Sequence, residues 1–222
     1  MMNKIFIDTN LAIAFVYYIN SLHLKSLKVF EFNSEIYWSN YVKSEFNRRF
    51  NKKYDNLIEF FNDLRKYLEN PEQEFYSPID LKEFAKKRYE DKKQNDTLSS
   101  INPFWDKYIG IESQISFLNM KKSITSCLKD LTYDTFLNKQ KLENNLKLTP
   151  ERTNNYSKID EMLKLEGISK EDRHVTLDGH DFACYNSEPV DFVTFDDDCC
   201  NGAKNVEILC FNSIKGKYDL KT

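Results

Sequence analysis

The chain has 222 residues, which is enough for a sizeable hydrophobic core, and its formal net charge of −3 gives no overall electrostatic preference for nucleic acid. No apolar stretch approaches the ~20 residues of a membrane span and no secretory signal pattern precedes the first predicted strand, so we expect a cytoplasmic protein with no membrane partner. Five cysteines, an odd number without CxxC spacing, indicate reduced thiols rather than a zinc site or a disulfide framework.

A short apolar strand that ends in polar residues is predicted first. Ile5-Phe6-Ile7 runs into Asp8-Thr9-Asn10, and a helix-like pattern follows from Leu11 to Tyr18. Ligands collect at such strand-to-helix turns in parallel sheets. Asp, Thr and Asn also cap ordinary helices, so this turn by itself leaves both interpretations open.

A second strand and a second polar turn come next. Residues 21–32 are typical of a helix, and residues 35–38 of a strand. Ser39 and Asn40 are good N-caps for a helix that carries Glu45 in its second turn. The same helix continues with Arg48 and Arg49 among aromatic residues, a pattern that suits phosphate and base contacts but equally suits a solvated charged face.

The middle of the chain, from about residue 51 to residue 165, is expected to be a helical insertion or layer. Its apolar residues recur at helical spacing, as in Leu57, Phe60, Phe61, Leu64 and Leu68. The polar stretch from residue 89 to residue 102 is predicted to be a mobile loop.

The last third returns to alternating helices and strands. We predict a helix over 170–186, a strand over 191–194, a short helical or turn segment over 199–203 and a strand over 206–211. Strands separated by helices indicate an α/β fold with a central, mostly parallel sheet. Residues 1–50 and 170–222 would form its core.

Acidic residues accompany these predicted strand ends. Asp196, followed by Asp197 and Asp198, ends the late strand, and the helix before that strand carries Asp172, Asp178 and Asp181. Several carboxylates in one cleft repel each other unless a cation bridges them, and oxygen ligands suit Mg²⁺ or Mn²⁺. Such an ion can activate water for phosphodiester hydrolysis.

Three segments together resemble the PIN-domain nuclease family: Ile5–Asn10, Ser39–Phe46 and Phe192–Asp196. The resemblance implies a single PIN-like domain over residues 1–222, with a three-layer α/β/α fold around the sheet and the helical middle as an insertion. It also implies a metal-dependent endonuclease that acts on RNA rather than DNA.

Carried over by position, the resemblance implies a site with acidic and polar members. The implied catalytic or metal-binding residues are Asp8, Glu45, Asp178, Asp181, Asp196 and Asp198. The implied substrate contacts are Asn10, Thr194, Arg48 and Arg49. Asp178 is the first choice for the third acid because it lies 18 residues before Asp196, with Asp181 and Asp172 as alternatives. Asp198 is either a second metal contact or an exposed turn residue.

An alternative function stays open beside the nuclease. A PIN-like module that has lost catalysis would bind nucleic acid or protein without cleaving it. Because some members of the resembled family are toxins, an antitoxin or other neutralising protein is a candidate partner, and so is a second copy of the chain in a homodimer.

Overall fold

A computed structural model describes residues 4–31, 35–89, 91–186 and 190–210, with backbone alone for 91–92 and 206–210. The elements in chain order are β1 (Lys4–Ile7), α1 (Thr9–Val16), α2 (His23–Glu31), β2 (Glu35–Trp38), α3 (Asn40–Tyr67), β3 (Phe75–Tyr76), α4 (Pro78–Arg88), α5 (Asp91–Tyr108), β4 (Ile115–Ser116), α6 (Phe117–Asn145), β5 (Leu146–Leu148), α7 (Ser157–Leu165), α8 (Lys170–Tyr185), β6 (Val190–Val193) and α9 (Asp197–Cys210). In these ranges no helix combines the length and the apolar character that a membrane crossing requires.

A parallel sheet is the centre of the fold. Among the described residues its strands lie in the order β5-β2-β1-β6, and every neighbouring pair is parallel. Ile5 pairs with Ile36 on one side and with Asp191 on the other. The predicted α/β class with a parallel sheet is therefore confirmed.

The strand order reverses at β1. From β1 the chain adds β2 and then β5 on one side, whereas β6 joins on the other side. The carboxyl ends of β1 and β6 therefore flank a topological switch point, which is where open α/β sheets usually bind their ligands.

Helix α8 packs closely against these two strands. Phe6 and Phe192 are fully buried, and their rings stack at 5.5 Å between centroids. A Cβ atom on Gly179 would lie 2.9 Å from the Phe192 ring, so only glycine allows this approach of helix to sheet.

The contacts divide the chain into two compact units. The first comprises the described residues of Met1–Ile13, Lys25–Asn47 and Leu142–Thr222, and the second comprises Ala14–Leu24 and the described residues of Arg48–Lys141. The first unit contains the parallel sheet. Its boundary differs from the expected core because β5 and α7 belong to it, since β5 pairs with β2.

The second unit is helical apart from one antiparallel pair, β3 with β4. The apolar stripe predicted on its long helix is confirmed, since Leu57, Phe60, Phe61, Leu64 and Leu68 are all buried. Tyr17 donates a hydrogen bond from its hydroxyl to the Phe50 carbonyl at 2.6 Å, which satisfies both groups in this core.

The predicted mobile loop over 89–102 is wrong. Residues 91–102 belong to helix α5, while Tyr89 ends α4 and residue 90 lies outside the described ranges. The buried face of α5 uses Thr97 and Ser100, whose hydroxyls donate to carbonyls of the preceding turn. Because these hydroxyl groups make their hydrogen bonds within the helix, small polar residues can face the core. The polar sequence of this helix therefore resembled that of a solvated loop.

The predicted strand over 206–211 is also wrong. Residues 206–210 continue helix α9, and residue 211 lies outside the described ranges. A short apolar run does not distinguish strand from helix by periodicity. Extending a helix that has already begun adds one hydrogen bond per residue, which favours its continuation here.

Candidate functional site

The residues after β1 and β6 are joined by a buried hydrogen bond. The hydroxyl of Thr194 donates to Oδ2 of Asp8 at 2.7 Å, and both residues are almost completely buried. The other oxygen of Asp8, Oδ1, accepts from the backbone N–H of Leu11 at 2.9 Å. Asp8 therefore caps α1 and also connects the two strand ends, so the capping interpretation of this turn is confirmed.

Asp196 is held by the same group of residues. Its backbone N–H donates to the Thr194 hydroxyl oxygen at 2.8 Å, and the side chain of Asn10 donates to its Oδ2 at 3.2 Å. Its Oδ1 accepts from the backbone N–H groups of Asp198 and Cys199. The carboxylate thus caps α9 with one oxygen and lies against the first polar turn with the other.

Glu45 is joined to the first turn through Thr9. The Thr9 hydroxyl donates to Oε2 of Glu45 at 2.6 Å, and Glu45 is half-buried. Hydrogen bonds thus connect the expected residues Asp8, Thr194, Asp196 and Asn10 within the first unit, and Glu45 bonds to Thr9 of the same turn.

The acid of α8 that lies next to Asp196 is Asp172. Ligand atoms of Asp172, Asp196 and Cys199 all lie within 4.8 Å of one another. Asp172 Oδ1 accepts from the Cys199 thiol at 3.4 Å, and Oδ2 accepts from the hydroxyl of Ser169, the N-cap of α8.

The thiol of Cys199 is close to three carboxylates. Burial raises its pKa most, and the charges of Asp8, Asp172 and Asp196 raise it further, because a thiolate there would be desolvated and repelled. A protonated thiol surrounded by acids is the state expected without a cation. Asp172, Asp196 and Cys199 therefore form the candidate metal centre, which we call the acidic centre, and Asp8 is connected to Asp196 through the Thr194 hydroxyl.

The first choice for the third acid, Asp178, belongs to a different group. Its Oδ1 lies 3.2 Å from Arg152 Nε and 3.7 Å from His174 Nε2, and the Ser39 hydroxyl also bonds to the carboxylate. Burial raises the pKa of Asp178, while Ser39, His174 and Arg152 oppose that rise. Of the three candidates for the third acid, Asp172 is thus the one that lies beside Asp196.

Two other expected acids have separate contacts. Asp181 Oδ1 accepts from the Tyr156 hydroxyl at 2.8 Å and from the Asn154 amide at 3.3 Å. Asp198 is exposed and contacts Asp196 through its backbone N–H. Neither belongs to the group of close ligand atoms formed by Asp172, Asp196 and Cys199 in the described residues.

The two expected arginine contacts lie in the second unit. Arg48 is exposed and Arg49 is half-buried, both on α3 beyond the residues that this helix contributes to the first unit. Within the first unit, the sequence reasoning missed Cys199 and Arg152. Their contacts join residues 27 or 26 positions apart in the chain, so no local spacing marked them.

A pocket of about 260 Å³ lies in the first unit, where β2 and β5 end. Its walls are formed by Ser39, Asn40, Tyr41, Pro150, Glu151, Arg152, His174 and Asp178. The rings of Tyr41 and His174 stack at 4.0 Å between centroids. We call this cavity the β2–β5 pocket.

Comparison with known proteins adds no relative. No family model matches the chain, and no curated protein or solved structure matches it. Functional interpretation therefore depends on the geometry of the acidic centre and of the β2–β5 pocket.

Proposed function

We propose that the protein is a metal-dependent endonuclease that hydrolyses phosphodiester bonds, in RNA rather than DNA. The observation that carries the proposal is the acidic centre at the switch point between β1 and β6. Ionisable groups this close, in a partly buried place, are unfavourable unless a cation compensates them.

The donor set fits a divalent cation. Asp172 and Asp196 offer carboxylate oxygens, and the charge of Asp8 also acts on the Cys199 thiol. Oxygen donors suit Mg²⁺ and Mn²⁺, and the softer sulfur of Cys199 favours Mn²⁺ of the two. When bound, such an ion polarises a phosphoryl oxygen and acidifies a water molecule.

Hydrogen bonds from neighbouring residues orient the carboxylates of Asp8 and Asp196. The Thr194 hydroxyl donates to one oxygen of Asp8 and the Leu11 N–H donates to the other, so the carboxylate is held in one orientation. The Asn10 amide fixes Asp196 in the same way. These bonds limit side-chain rotation, and a preorganised group loses less entropy when it binds.

Glu45 acts on the turn rather than in the group of close ligand atoms. By accepting from the Thr9 hydroxyl, it holds the residue that follows Asp8. We therefore assign Glu45 a positioning role.

The finer features of the PIN resemblance belong to the same proposal. The parallel sheet, the polar ends of β1 and β6 and the Thr9–Glu45 bond support a PIN-like three-layer arrangement. An antitoxin partner is an expectation from that resemblance alone, whereas a cytoplasmic location is an expectation from the sequence pattern.

Cleavage of a labelled single-stranded RNA tests the proposal. The wild-type protein should cut it with Mn²⁺ or Mg²⁺, should not cut it in EDTA, and should cut DNA of the same sequence more slowly. Asp8→Asn and Asp172→Asn should each lower the rate about 100-fold or more, because loss of even a supporting residue typically costs 10–100-fold. Asp106→Asn, at an exposed position of α5, is the matched control and should keep the wild-type rate.

Metal binding separates the enzyme from an inactive binding module. Mn²⁺ at about 100 times its Kd should stabilise the wild type by about 2.7 kcal/mol, which is a rise in Tm of roughly 5–10 °C for a chain of this size. Asp172→Asn should lose that rise. Metal-independent cleavage, or cleavage that both Asp→Asn variants retain, would overturn the proposal. A protein that neither cleaves RNA nor gains stability from Mn²⁺ would favour the binding module.

A further inference from the structure

Helix α6 presents one exposed side within the second unit. Residues that alternate three and four positions apart share one side of a helix, and this spacing joins six exposed residues of α6. They are Lys122, Ser126, Lys129, Tyr133, Phe136 and Gln140, which we call the α6 face. All of them belong to the second unit, so none is part of the acidic centre.

Two aromatic rings stand on the α6 face. Tyr133 is 68% exposed and Phe136 is 46% exposed. The Phe136 ring meets the rings of Phe50 and Tyr54 nearly at right angles, at 5.4 and 5.0 Å between centroids. These contacts hold the ring in place, so little side-chain entropy is lost when a flat ligand stacks on it. Proteins that bind single strands use such rings as platforms for unpaired bases.

The part of α6 that belongs to the second unit is positively charged. Between residues 117 and 141, the lysines are Lys121, Lys122, Lys129, Lys139 and Lys141, whereas the acids are Asp130 and Asp134. Neither acid belongs to the α6 face; both are half-buried, and Asp130 accepts from the Tyr108 hydroxyl at 2.8 Å. Within the described part of the chain, Lys122 and Lys129 form no ion pair. The face is therefore complementary to a polyanion.

A single nucleic-acid strand uses both features of the α6 face. Its unpaired bases can stack on Tyr133 and Phe136, while its phosphates contact Lys122 and Lys129. At a rise of 1.5 Å per residue, the face is about 27 Å long from Lys122 to Gln140, which is room for several nucleotides at about 3.4 Å each. A duplex keeps its bases paired inside and would use the lysines alone, so the exposed rings favour a single strand.

We propose that the α6 face binds single-stranded RNA, with Tyr133 and Phe136 stacking on bases and Lys122 and Lys129 contacting phosphates. The choice of RNA as the strand rests on the proposed nuclease function, whereas the stacking and the charge contacts rest on the α6 face itself. Because every base has a π-face and every nucleotide a phosphate, such a surface binds without preference for sequence. The helical middle of the chain thereby has a function of its own, which is to hold the substrate strand.

Binding of a fluorescent oligouridine in EDTA tests the α6 face without metal and without cleavage. Fluorescence anisotropy measures the Kd of the full-length protein at several salt concentrations. The wild type should bind the strand, and its affinity should fall as salt rises, because each phosphate contact releases counterions. Absence of binding at about 0.1 mM protein, the weak end of affinities that do not depend on sequence, would overturn the proposal.

Variants at exposed positions locate the binding. Tyr133→Leu keeps an apolar side chain but removes the ring, so it should weaken binding about fivefold or more, whereas Tyr133→Phe should bind like the wild type. Lys129→Gln should reduce the slope of log affinity against log salt by about 0.7, the value of one phosphate contact on a single strand. Tyr185→Leu and Lys66→Gln, at exposed positions outside α6, are the matched controls and should change neither quantity. Thermal unfolding checks that every variant folds.

Two results would assign the α6 face to something else. Binding that Lys129→Gln weakens but Tyr133→Leu does not would show attraction by charge alone and would overturn the stacking of bases on this face. Sedimentation tests a second copy of the chain as the occupant. A wild type that is a dimer, with a Tyr133→Leu variant that is a monomer, would make the face a dimer interface and would also overturn the proposal.

Cleavage assays separate this inference from the proposed function. Tyr133→Leu should raise the KM for a single-stranded RNA and leave kcat unchanged, whereas Asp172→Asn should lower kcat and keep the RNA affinity measured in EDTA. Cleavage with the same KM in the wild type and in Tyr133→Leu would overturn the role of the α6 face and leave the nuclease standing. RNA binding that depends on Tyr133, in a protein that cleaves no RNA, would overturn the nuclease and leave the α6 face.

Discussion

Gly179→Ala should destabilise the protein by overpacking the contact between α8 and the sheet. The added Cβ would lie 2.9 and 3.1 Å from two ring carbons of Phe192 and 3.1 Å from one of Phe6. Carbon atoms normally lie about 3.5–4.0 Å apart, so the rings must move by roughly half an ångström or more. Both rings are fully buried and stacked on each other, which leaves them little room.

The expected size follows from two opposing effects. Overpacking a core costs about 1–3 kcal/mol, and alanine is about 1 kcal/mol better than glycine inside a helix. Because the contact involves two immobile rings, we expect the net loss to be about 1–2 kcal/mol. At about 2–4 °C per kcal/mol for a chain of this size, Tm should fall by roughly 2–8 °C.

Circular dichroism during heating and during urea unfolding measures the effect, and a double variant identifies its cause. Phe192→Leu removes the ring that Cβ would approach most closely, so Gly179→Ala should cost at least ~0.5 kcal/mol less in that background than in the wild type. A Tm for Gly179→Ala equal to or above that of the wild type would refute the reasoning. Additive losses in the double variant would show that another contact is responsible.

Two further predictions concern hydrogen-bonded acids, one in each unit. Thr194→Val keeps the shape of the side chain but removes the hydrogen-bond donor to Asp8. The free energy of unfolding should therefore fall by about 1–3 kcal/mol, and the affinity for Mn²⁺ should fall by about 10–100-fold. An unchanged Mn²⁺ affinity in calorimetry would contradict this prediction. Burial by itself raises the pKa of Asp63, but hydrogen bonds from Arg88 and Tyr89 outweigh it and lower the pKa below its ordinary value. The stabilisation is therefore present above the unfolded pKa of about 3.9 and is lost as pH falls through the lower folded value. Between neutral pH and about pH 3, the Tm of Asp63→Asn should therefore fall less than the Tm of the wild type. Parallel curves of Tm against pH would count against the ion pair.

Elements with a strong local pattern could be predicted closely from the sequence. The strand Glu35–Trp38 was predicted with the bounds that the structure has, and α8 ends one residue before the prediction. Strand ends followed by capping residues also predicted the polar turns. These features depend on residues that are near each other in the chain, as backbone preference and capping do.

Elements whose apolar signal is weak or short could not be predicted in this way. Helix α5 buries Thr97 and Ser100, whose hydroxyl groups bond within the helix and hide a core face from sequence patterns. The apolar run after residue 205 suits a strand and a helix equally, and the backbone continues as α9.

The sequence by itself determined that acids and hydroxyls follow the apolar strands, and hence that Asp8, Thr194 and Asp196 belong at one edge of a parallel sheet. Only the tertiary structure decided which acid of α8 joins them. The rotation and position of α8 depend on the packing of Gly179 against rings from two distant strands. In this position of the helix, Asp172 lies beside Asp196 and Asp178 lies beside Arg152. Residues far apart in the chain set such a contact, so no local spacing encodes it.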